Sequence, residues 1–438
     1  MKFQEKINQF KKNEVINKIV NNSSWLIGDK VFSMLIGVYV LAMIARYLGP
    51  ESYGQFNYAL AFVALFTALS TLGLETLAVK AVIYKEEKEG TILCTSLVLR
   101  LIGGCLVTLI ATIVIILLEP DDSTLHLLVL TMSLTMVFKS LEVIEYWVQA
   151  YQKSKITSII RMFTTIVSAG LKLCFVIWEG SLIHLALIYT IDSIIIGIAL
   201  IIAYYIYREE KSNWRFNWRF SKNILSQSSY LILSGLMVTL YMKIDQIMLG
   251  SMLPTKVELG VYSAAIQVAA MWYFIPMSII TSFKPVIMNN KKTNNEKYLK
   301  SIQILYTIVT WSGIVFGIFI LLFSNKIIVI LFGIEYLKAA SILTISIWGG
   351  IFAMLGTARG TWLICEGLQK YTVIYIGAGA MVNVILNYFL IPTLGGFGAA
   401  IATLASQLTV AIIAPLFVKK TRVSAIMMLK SLRMEGIR

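Results

Sequence analysis

The chain has 438 residues, of which 58% are hydrophobic and only 14% charged. A soluble domain carries about 25% charged residues, because its surface must face water, so this balance excludes an ordinary water-facing globule. The net charge of +15 is read as the charge of membrane loops rather than as a nucleic-acid footprint.

In hydrocarbon every backbone polar group must be satisfied inside a helix or a closed barrel. Long apolar blocks such as Leu97–Leu118 and Ile194–Tyr207 lack the alternation of barrel strands. About twenty apolar residues cross a bilayer as a helix, so the expected class is an all-α integral membrane protein.

In chain order, residues 1–23 hold five lysines and no continuous apolar run, which argues against a cleaved signal peptide. Phe3, Ile7 and Phe10, then Val15, Ile16, Ile19 and Val20, recur at helical spacing. This segment is expected to lie on the inner membrane surface as an amphipathic helix. Six spans follow over 25–48, 56–79, 93–118, 125–149, 156–178 and 182–207. A basic linker, 208–223, leads to six more over 224–250, 261–288, 301–323, 339–365, 372–391 and 397–418. The expected domains are therefore an N-terminal bundle (24–207), a C-terminal bundle (224–418) and a basic tail (419–438). The remaining long connections are the basic loop 289–300 and the outer stretch 324–338.

Alternate connections differ sharply in charge. The side holding both termini carries 27 Lys and Arg, and the opposite side carries only Arg46, Lys256, Lys326 and Lys338. The positive-inside rule then places both termini in the cytoplasm and requires an even number of spans.

The halves share a pattern. Leu48-Gly49-Pro50 leads to Gly54-Gln55-Phe56-Asn57-Tyr58, and Leu249-Gly250 with Pro254 leads to Gly260-Val261-Tyr262-Ser263-Ala264. Each reads as a helix stop, a Pro-containing outer turn and a new helix. Gln152-Lys153 and Gln369-Lys370 form a second matched pair. With six spans per half, such a repeat is parallel, about an axis along the membrane normal.

Seven cations fall inside spans: Lys30, Arg100, Lys139, Arg161, Lys172, Lys243 and Arg359. The acids there are Asp29, Glu75, Glu142, Glu145, Asp192 and Asp245. A charge at mid-bilayer costs roughly 2.5–3.5 kcal/mol on insertion scales, so such residues face a wet cavity or one another. Arg161, Thr164, Thr165, Ser168 and Lys172 fall within about 100° of one another on a helix, a polar wall for an aqueous path. Snorkelling to the helix ends is the competing account of Arg161 and Lys172. Lys139, Glu142, Tyr146 and Gln149 share a face of the preceding span, with Glu142 in i+3 reach of Lys139. Asp29-Lys30 opens the first span, and Lys243 with Asp245 holds a related place in the second half. A cavity lined by cations from both halves suits an anionic solute such as phosphate or pyrophosphate. Cys94, Cys105, Cys174 and Cys365 show no CxxC spacing, and His126 and His184 are far apart. No metal site and no cofactor is expected.

Trp25-Leu26 with Asp29-Lys30, then Ala45-Arg46-Tyr47-Leu48-Gly49-Pro50-Glu51-Ser52-Tyr53-Gly54, resembles the opening of polysaccharide-export flippases. These are the O-antigen, capsule and teichuronic-acid repeat-unit translocases of the MOP (MATE-related) superfamily. Leu331-Phe332-Gly333-Ile334-Glu335-Tyr336 and Gly396-Phe397-Gly398-Ala399-Ala400-Ile401-Ala402-Thr403 look like the same family. The resemblance implies about 12 transmembrane helices in two parallel six-helix bundles around a central, cation-lined cavity. It implies a multi-pass protein of the bacterial cytoplasmic membrane that moves undecaprenyl-pyrophosphate-linked oligosaccharide to the outer leaflet by alternating access. Its expected partners are that lipid-linked substrate, membrane lipids and a polysaccharide polymerase or co-polymerase, with no nucleic acid.

The cationic role carries to Lys30, Arg46 and Lys243 as pyrophosphate contacts, with Arg100, Lys139, Arg161, Lys172 and Arg359 as further cavity cations. Asp29, Asp192, Asp245 and Glu142 are the candidate acids for coupling to a proton or sodium gradient. The related lipid II flippases favour Arg at such places, whereas Lys binds as a point charge rather than bidentately. Two other readings compete. A multidrug cation antiporter of the same superfamily would prefer an acidic cavity. A polytopic enzyme of glycan assembly would need a catalytic loop, and no HExxH, P-loop or GxSxG is found.

Overall fold

A computed structural model describes residues 14–208 and 212–434, and no strand occurs among them. The expected surface helix over 1–23 lies outside the described residues, apart from a helical backbone from Glu14.

The elements, in order, begin with α1 (Glu14–Ser70), α2 (Leu74–Tyr84), α3 (Glu89–Leu118) and α4 (Ser123–Phe138). A 3-10 turn, Lys139–Val143, then leads to α5 (Ile144–Ala150), α6 (Ser154–Ile177) and α7 (Leu182–Tyr207). Next come α8 (Trp218–Met252), α9 (Val257–Met271), α10 (Phe274–Thr293), α11 (Asn295–Phe332) and α12 (Ala339–Cys365). The chain ends in α13 (Lys370–Leu408), a π-helical turn (Thr409–Ile413), α14 (Ala414–Phe417) and α15 (Arg422–Ser431). Ten helical stretches among the described residues are long and apolar enough to cross a membrane.

Two of the longest are broken from within. In α1 the break is at Gly49 (φ 70°), followed by Pro50, and in α13 it is at Gly395 (φ 55°). Positive φ costs glycine little because it has no Cβ, and a proline cannot supply the helical N–H. Elsewhere polar side chains cap new helices. Asp122 accepts from the Leu125 amide at 2.9 Å, and Asn294 from the Lys297 amide at 2.9 Å. Asp122 thus starts α4.

Several expected boundaries are corrected. The outer stretch 324–338 is helical to Phe332 and only then turns, through Ile334–Tyr336. The loop 289–300 shrinks to Asn294 between α10 and α11. The span 56–79 is interrupted at residues 71–73, and 125–149 at its 3-10 turn. Helix 422–431 lies within the basic tail. Hydropathy follows the solvent, and helices continue past the hydrocarbon edge wherever caps and packing allow.

The chain forms two compact units, residues 1–41 with 62–239 and residues 42–61 with 240–438. In the first, Leu74, Ile92, Tyr146 and Phe220 form one core and Leu93, Trp147, Leu200 and Tyr204 another. On α3 the residues Leu106, Leu109, Ile113 and Leu117 are exposed along one stripe. Such a stripe is costly in water but neutral against lipid tails.

In the second unit Trp272, Tyr298, Leu305, Tyr306 and Trp362 form the core, with Met428 of α15 packed into it. The two matched stretches meet here. A Cβ on Gly54 would stand 1.9 Å from the Lys256 carbonyl oxygen, and one on Gly260 would stand 2.0 Å from that of Pro50. Each glycine thus faces the carbonyl four residues before the other, a reciprocity that a two-fold relation produces. Only a residue without a side chain permits so close an approach.

Candidate functional site

The first unit contains a cavity of about 680 Å³. Its walls are α1 (Asp29 to Leu41), α5 (Glu145, Gln149), α6 (Ser154 to Lys172) and α7 (Tyr189, Asp192, Ile196). All five members of the polar stripe on α6, from Arg161 to Lys172, line it. Because α6 is helical without interruption from Ser154 to Ile177, the phase read from the sequence survives intact.

Three cations and three acids line this cavity, and they differ in company. Arg161 is held by Glu145 of α5 at 2.6 Å. Lys172 lies 3.6 Å from Asp192 of α7 and 4.4 Å from the centre of the Tyr189 ring. Asp192 also accepts from Ser168 at 2.7 Å. Asp29 accepts from Ser33 at 3.3 Å, and Ser33 in turn meets Thr165 at 3.0 Å. Lys30 is exposed and, among the described residues, forms no ion pair. Its neighbour Asp29 is only 8% exposed. Adjacent helical residues point about 100° apart, which sends the cation toward open space and the acid into the wall.

Of the expected site residues, Lys30, Arg161, Lys172, Asp29 and Asp192 therefore share one cavity. Arg46, Arg100, Lys139, Lys243, Arg359, Glu142 and Asp245 do not line it. Arg100 is buried on α3, where it donates to the Tyr146 hydroxyl at 3.2 Å. Lys139 and Glu142 lie in the 3-10 turn and form no ion pair with each other among the described residues, so the expected i+3 neutralisation is absent. Lys243 belongs to the second unit and donates to Gln246 at 3.1 Å.

Two arginines of the second unit are committed to backbone. Arg46 donates to the carbonyls of Leu331 (2.8 Å), Val329 (3.1 Å) and Ile330, the last turn of α11. A helix leaves the carbonyls of its last turn short of intrahelical donors, and that of Val329 also accepts the Gly333 amide at 3.0 Å. Tyr336 donates to the Ala45 carbonyl at 2.8 Å, so two motifs far apart in sequence join in one knot. Arg359 is 2% exposed. It donates to Val410 (2.8 Å) and Ala411 (2.7 Å) in the π-helical turn and lies 4.9 Å from the Tyr375 ring centre.

Asp245, 7% exposed, is surrounded by neutral donors. Asn387 reaches one oxygen at 2.7 Å, and Tyr262 (2.8 Å) and Thr403 (2.5 Å) reach the other. Asn387 also donates to Asn383 at 3.0 Å. No cation pairs with this carboxylate among the described residues. Glu145 was among the acids expected to face a cavity, whereas Ser33 and Tyr189 in the first unit, and Tyr262, Asn383, Asn387 and Thr403 in the second, were not candidates in the sequence. The one readable signal was Asn383 and Asn387, two amides four residues apart inside an apolar span. Among the described residues no group of acids, cysteines or histidines is placed to hold a metal ion.

The all-helical fold is shared with solved transporters of the MOP superfamily. The lipid II flippase MurJ, in an inward closed conformation, superposes with a TM-score of 0.72 at 17% identity, over 93% of this chain and 91% of that one. The chain belongs to the polysaccharide biosynthesis protein family, whose model matches residues 19–291; the MatE model matches residues 231–389. A capsular polysaccharide biosynthesis protein of Staphylococcus aureus is 26% identical over 89% of this chain and 96% of its own length. A Shigella flexneri protein named for O-antigen transport is 24% identical over 88% of this chain and 94% of its own.

Proposed function

We propose that the protein is a flippase, a transporter rather than an enzyme, for lipid-linked oligosaccharide repeat units. Its cargo is undecaprenyl-pyrophosphate-linked glycan, moved from the inner to the outer leaflet of the bacterial cytoplasmic membrane. The relatives' names support the class of cargo. The observation that carries the reading is the cavity in which Lys30 forms no ion pair among the described residues while Arg161 and Lys172 are each neutralised by a carboxylate. A pyrophosphate needs a cation whose charge is not already spent. A multidrug cation antiporter would need the converse, an open acid, and here the acid beside Lys30 is the buried member of the pair.

The glycines that break α1 and α13 supply two further crossings, making twelve spans from the ten apolar stretches. The reciprocal Gly54–Gly260 contact supports two parallel six-helix halves, 24–207 and 224–418. The asymmetry of 27 Lys and Arg against four supports cytoplasmic termini. Export then hands the repeat unit to a polymerase on the far side.

Energy comes from a proton or sodium ion taken at Asp245. Among the described residues this buried carboxylate is held by neutral donors alone, the Tyr262 and Thr403 hydroxyls and the Asn387 amide nitrogen, and a buried charge without a counter-ion gains from a bound cation. Lys243, two residues away, is kept as a secondary cargo contact.

The test is translocation by the purified chain in proteoliposomes. Pyrophosphate-linked oligosaccharide on an undecaprenyl chain should become accessible to a membrane-impermeant glycosidase, faster with an imposed ion gradient. Efflux of organic cations without glycan movement would instead establish the antiporter reading.

A further inference from the structure

The end of the turn between α7 and α8 and the first residues of α8 read Trp214-Arg215-Phe216-Asn217-Trp218-Arg219-Phe220, a Trp-Arg-Phe triplet repeated around one asparagine. The transport reading has no use for it. Its inward members fix it in place. The Trp214 ring packs edge-on to Tyr204 with centroids 5.8 Å apart, and Phe220 is buried in a core of the first unit. Asn217 starts α8 by accepting from the Phe220 amide at 3.1 Å, while its own amide donates to Thr95 at 3.1 Å. Gly90 donates to Ser212 at 2.7 Å. The turn is therefore pinned to the start of α3.

The outward members are of one kind. Trp218 is 65% exposed and Phe216 is 41% exposed, with ring centroids 6.1 Å apart. Arg215 and Arg219 are exposed and meet no carboxylate among the described residues. Lys222 lies 5.5 Å from the Trp218 ring centre, and Arg208 lies 4.5 Å from that of Tyr205, itself exposed at the end of α7. Aromatic rings and cations thus alternate along one rim where two apolar helices end.

We infer that this rim binds the phosphate of an anionic phospholipid, so that the turn anchors the first unit to the leaflet beside it. Indole and phenol rings favour the headgroup level, where one edge is apolar and the other wet. Guanidinium groups match phosphate oxygens bidentately, and their stems follow the lipid surface while the heads reach the charge. Water alone would leave the outer faces of Trp218 and Phe216 without apolar cover. A soluble anion would use the cations and ignore the rings.

The full chain, purified in detergent, is exposed to equal amounts of phosphatidylglycerol and phosphatidylcholine, and retained lipid is counted by native mass spectrometry. Wild type should keep phosphatidylglycerol, against excess inorganic phosphate. The double variant Arg215→Gln/Arg219→Gln should need roughly tenfold more lipid or greater for the same occupancy, as expected for two lost surface cations. Lys419→Gln/Lys420→Gln removes equal charge elsewhere and should behave as wild type. Equal retention of phosphatidylcholine, displacement by inorganic phosphate, unchanged binding in the arginine variant, or equal loss in the lysine variant would each overturn the inference.

Discussion

Cations of the two units, in or beside their apolar helices, answer the same problem in opposite ways. In the second unit Arg46 and Arg359 spend their donors on backbone carbonyls, those of the last turn of α11 and of the π-helical turn. In the first unit Lys30, Arg161 and Lys172 face a cavity, and two of the three are balanced by side-chain acids. An arginine whose terminal nitrogens are engaged by backbone carbonyls holds a fold together. A lysine left open in a cavity is free, on the proposed function, to hold a cargo that comes and goes. Both sets are Lys and Arg in or beside apolar spans, so composition alone does not separate them.

The comparison breaks most readily at Lys30. Lys30→Gln should lower glycan export per molecule by about 30-fold or more, the effect of losing one member of a desolvated charge pair worth roughly 2–5 kcal/mol. The amount of folded protein in the membrane should hardly change, and quantifying surface polysaccharide against membrane-extracted protein checks both. Arg359→Gln should do the reverse. Leaving a buried acceptor unsatisfied costs about 1–3 kcal/mol, so thermal unfolding in detergent should move down while export per surviving molecule stays near wild type.

Gly54→Ala sharpens the point for backbone contacts. Its methyl group would meet the Lys256 carbonyl, and overpacking of this kind costs about 1–3 kcal/mol. The yield of folded protein should fall, and Gly260→Ala should behave alike, since the contact is reciprocal. Asp245→Asn keeps the shape of its site and removes the charge. Export should lose its dependence on an imposed ion gradient, a change of about tenfold read in proteoliposomes at fixed protein density. The smallest effect belongs to Arg161→Lys. Glu145 retains a cation, so export should fall by no more than about threefold, the difference between a bidentate fork and a point charge.

Much of the fold was legible because lipid imposes a simple rule, that long apolar runs become helices. The broken helices were legible too, since Leu48-Gly49-Pro50 announces a stop and a restart. The polar stripe of α6 came through because an uninterrupted helix keeps its period from Arg161 to Lys172. The stripe over Lys139–Gln149 did not, because a 3-10 turn at Lys139–Val143 changes the period within it. Helix lengths beyond the hydrocarbon, as in α11, were hidden from a measure that counts only apolarity.

The candidate site was legible in kind and not in partnership. Asp192 is found by its charge, but the Ser168, Lys172 and Tyr189 around it come from α6 and α7 together. Arg46 and Lys30 looked equivalent in the opening motif. Only the three carbonyls of α11 show that Arg46 is already engaged. Asp245 likewise gains its meaning from Asn387 and Thr403, which stand 142 and 158 residues away.

The most direct measurement sets Lys30→Gln beside Arg359→Gln in one assay, reporting glycan translocated per folded molecule in proteoliposomes of matched protein content. The account predicts a deep loss for Lys30→Gln and near wild-type turnover for whatever Arg359→Gln protein survives purification. Wild-type turnover in Lys30→Gln, or an equal loss of turnover in both, would contradict it.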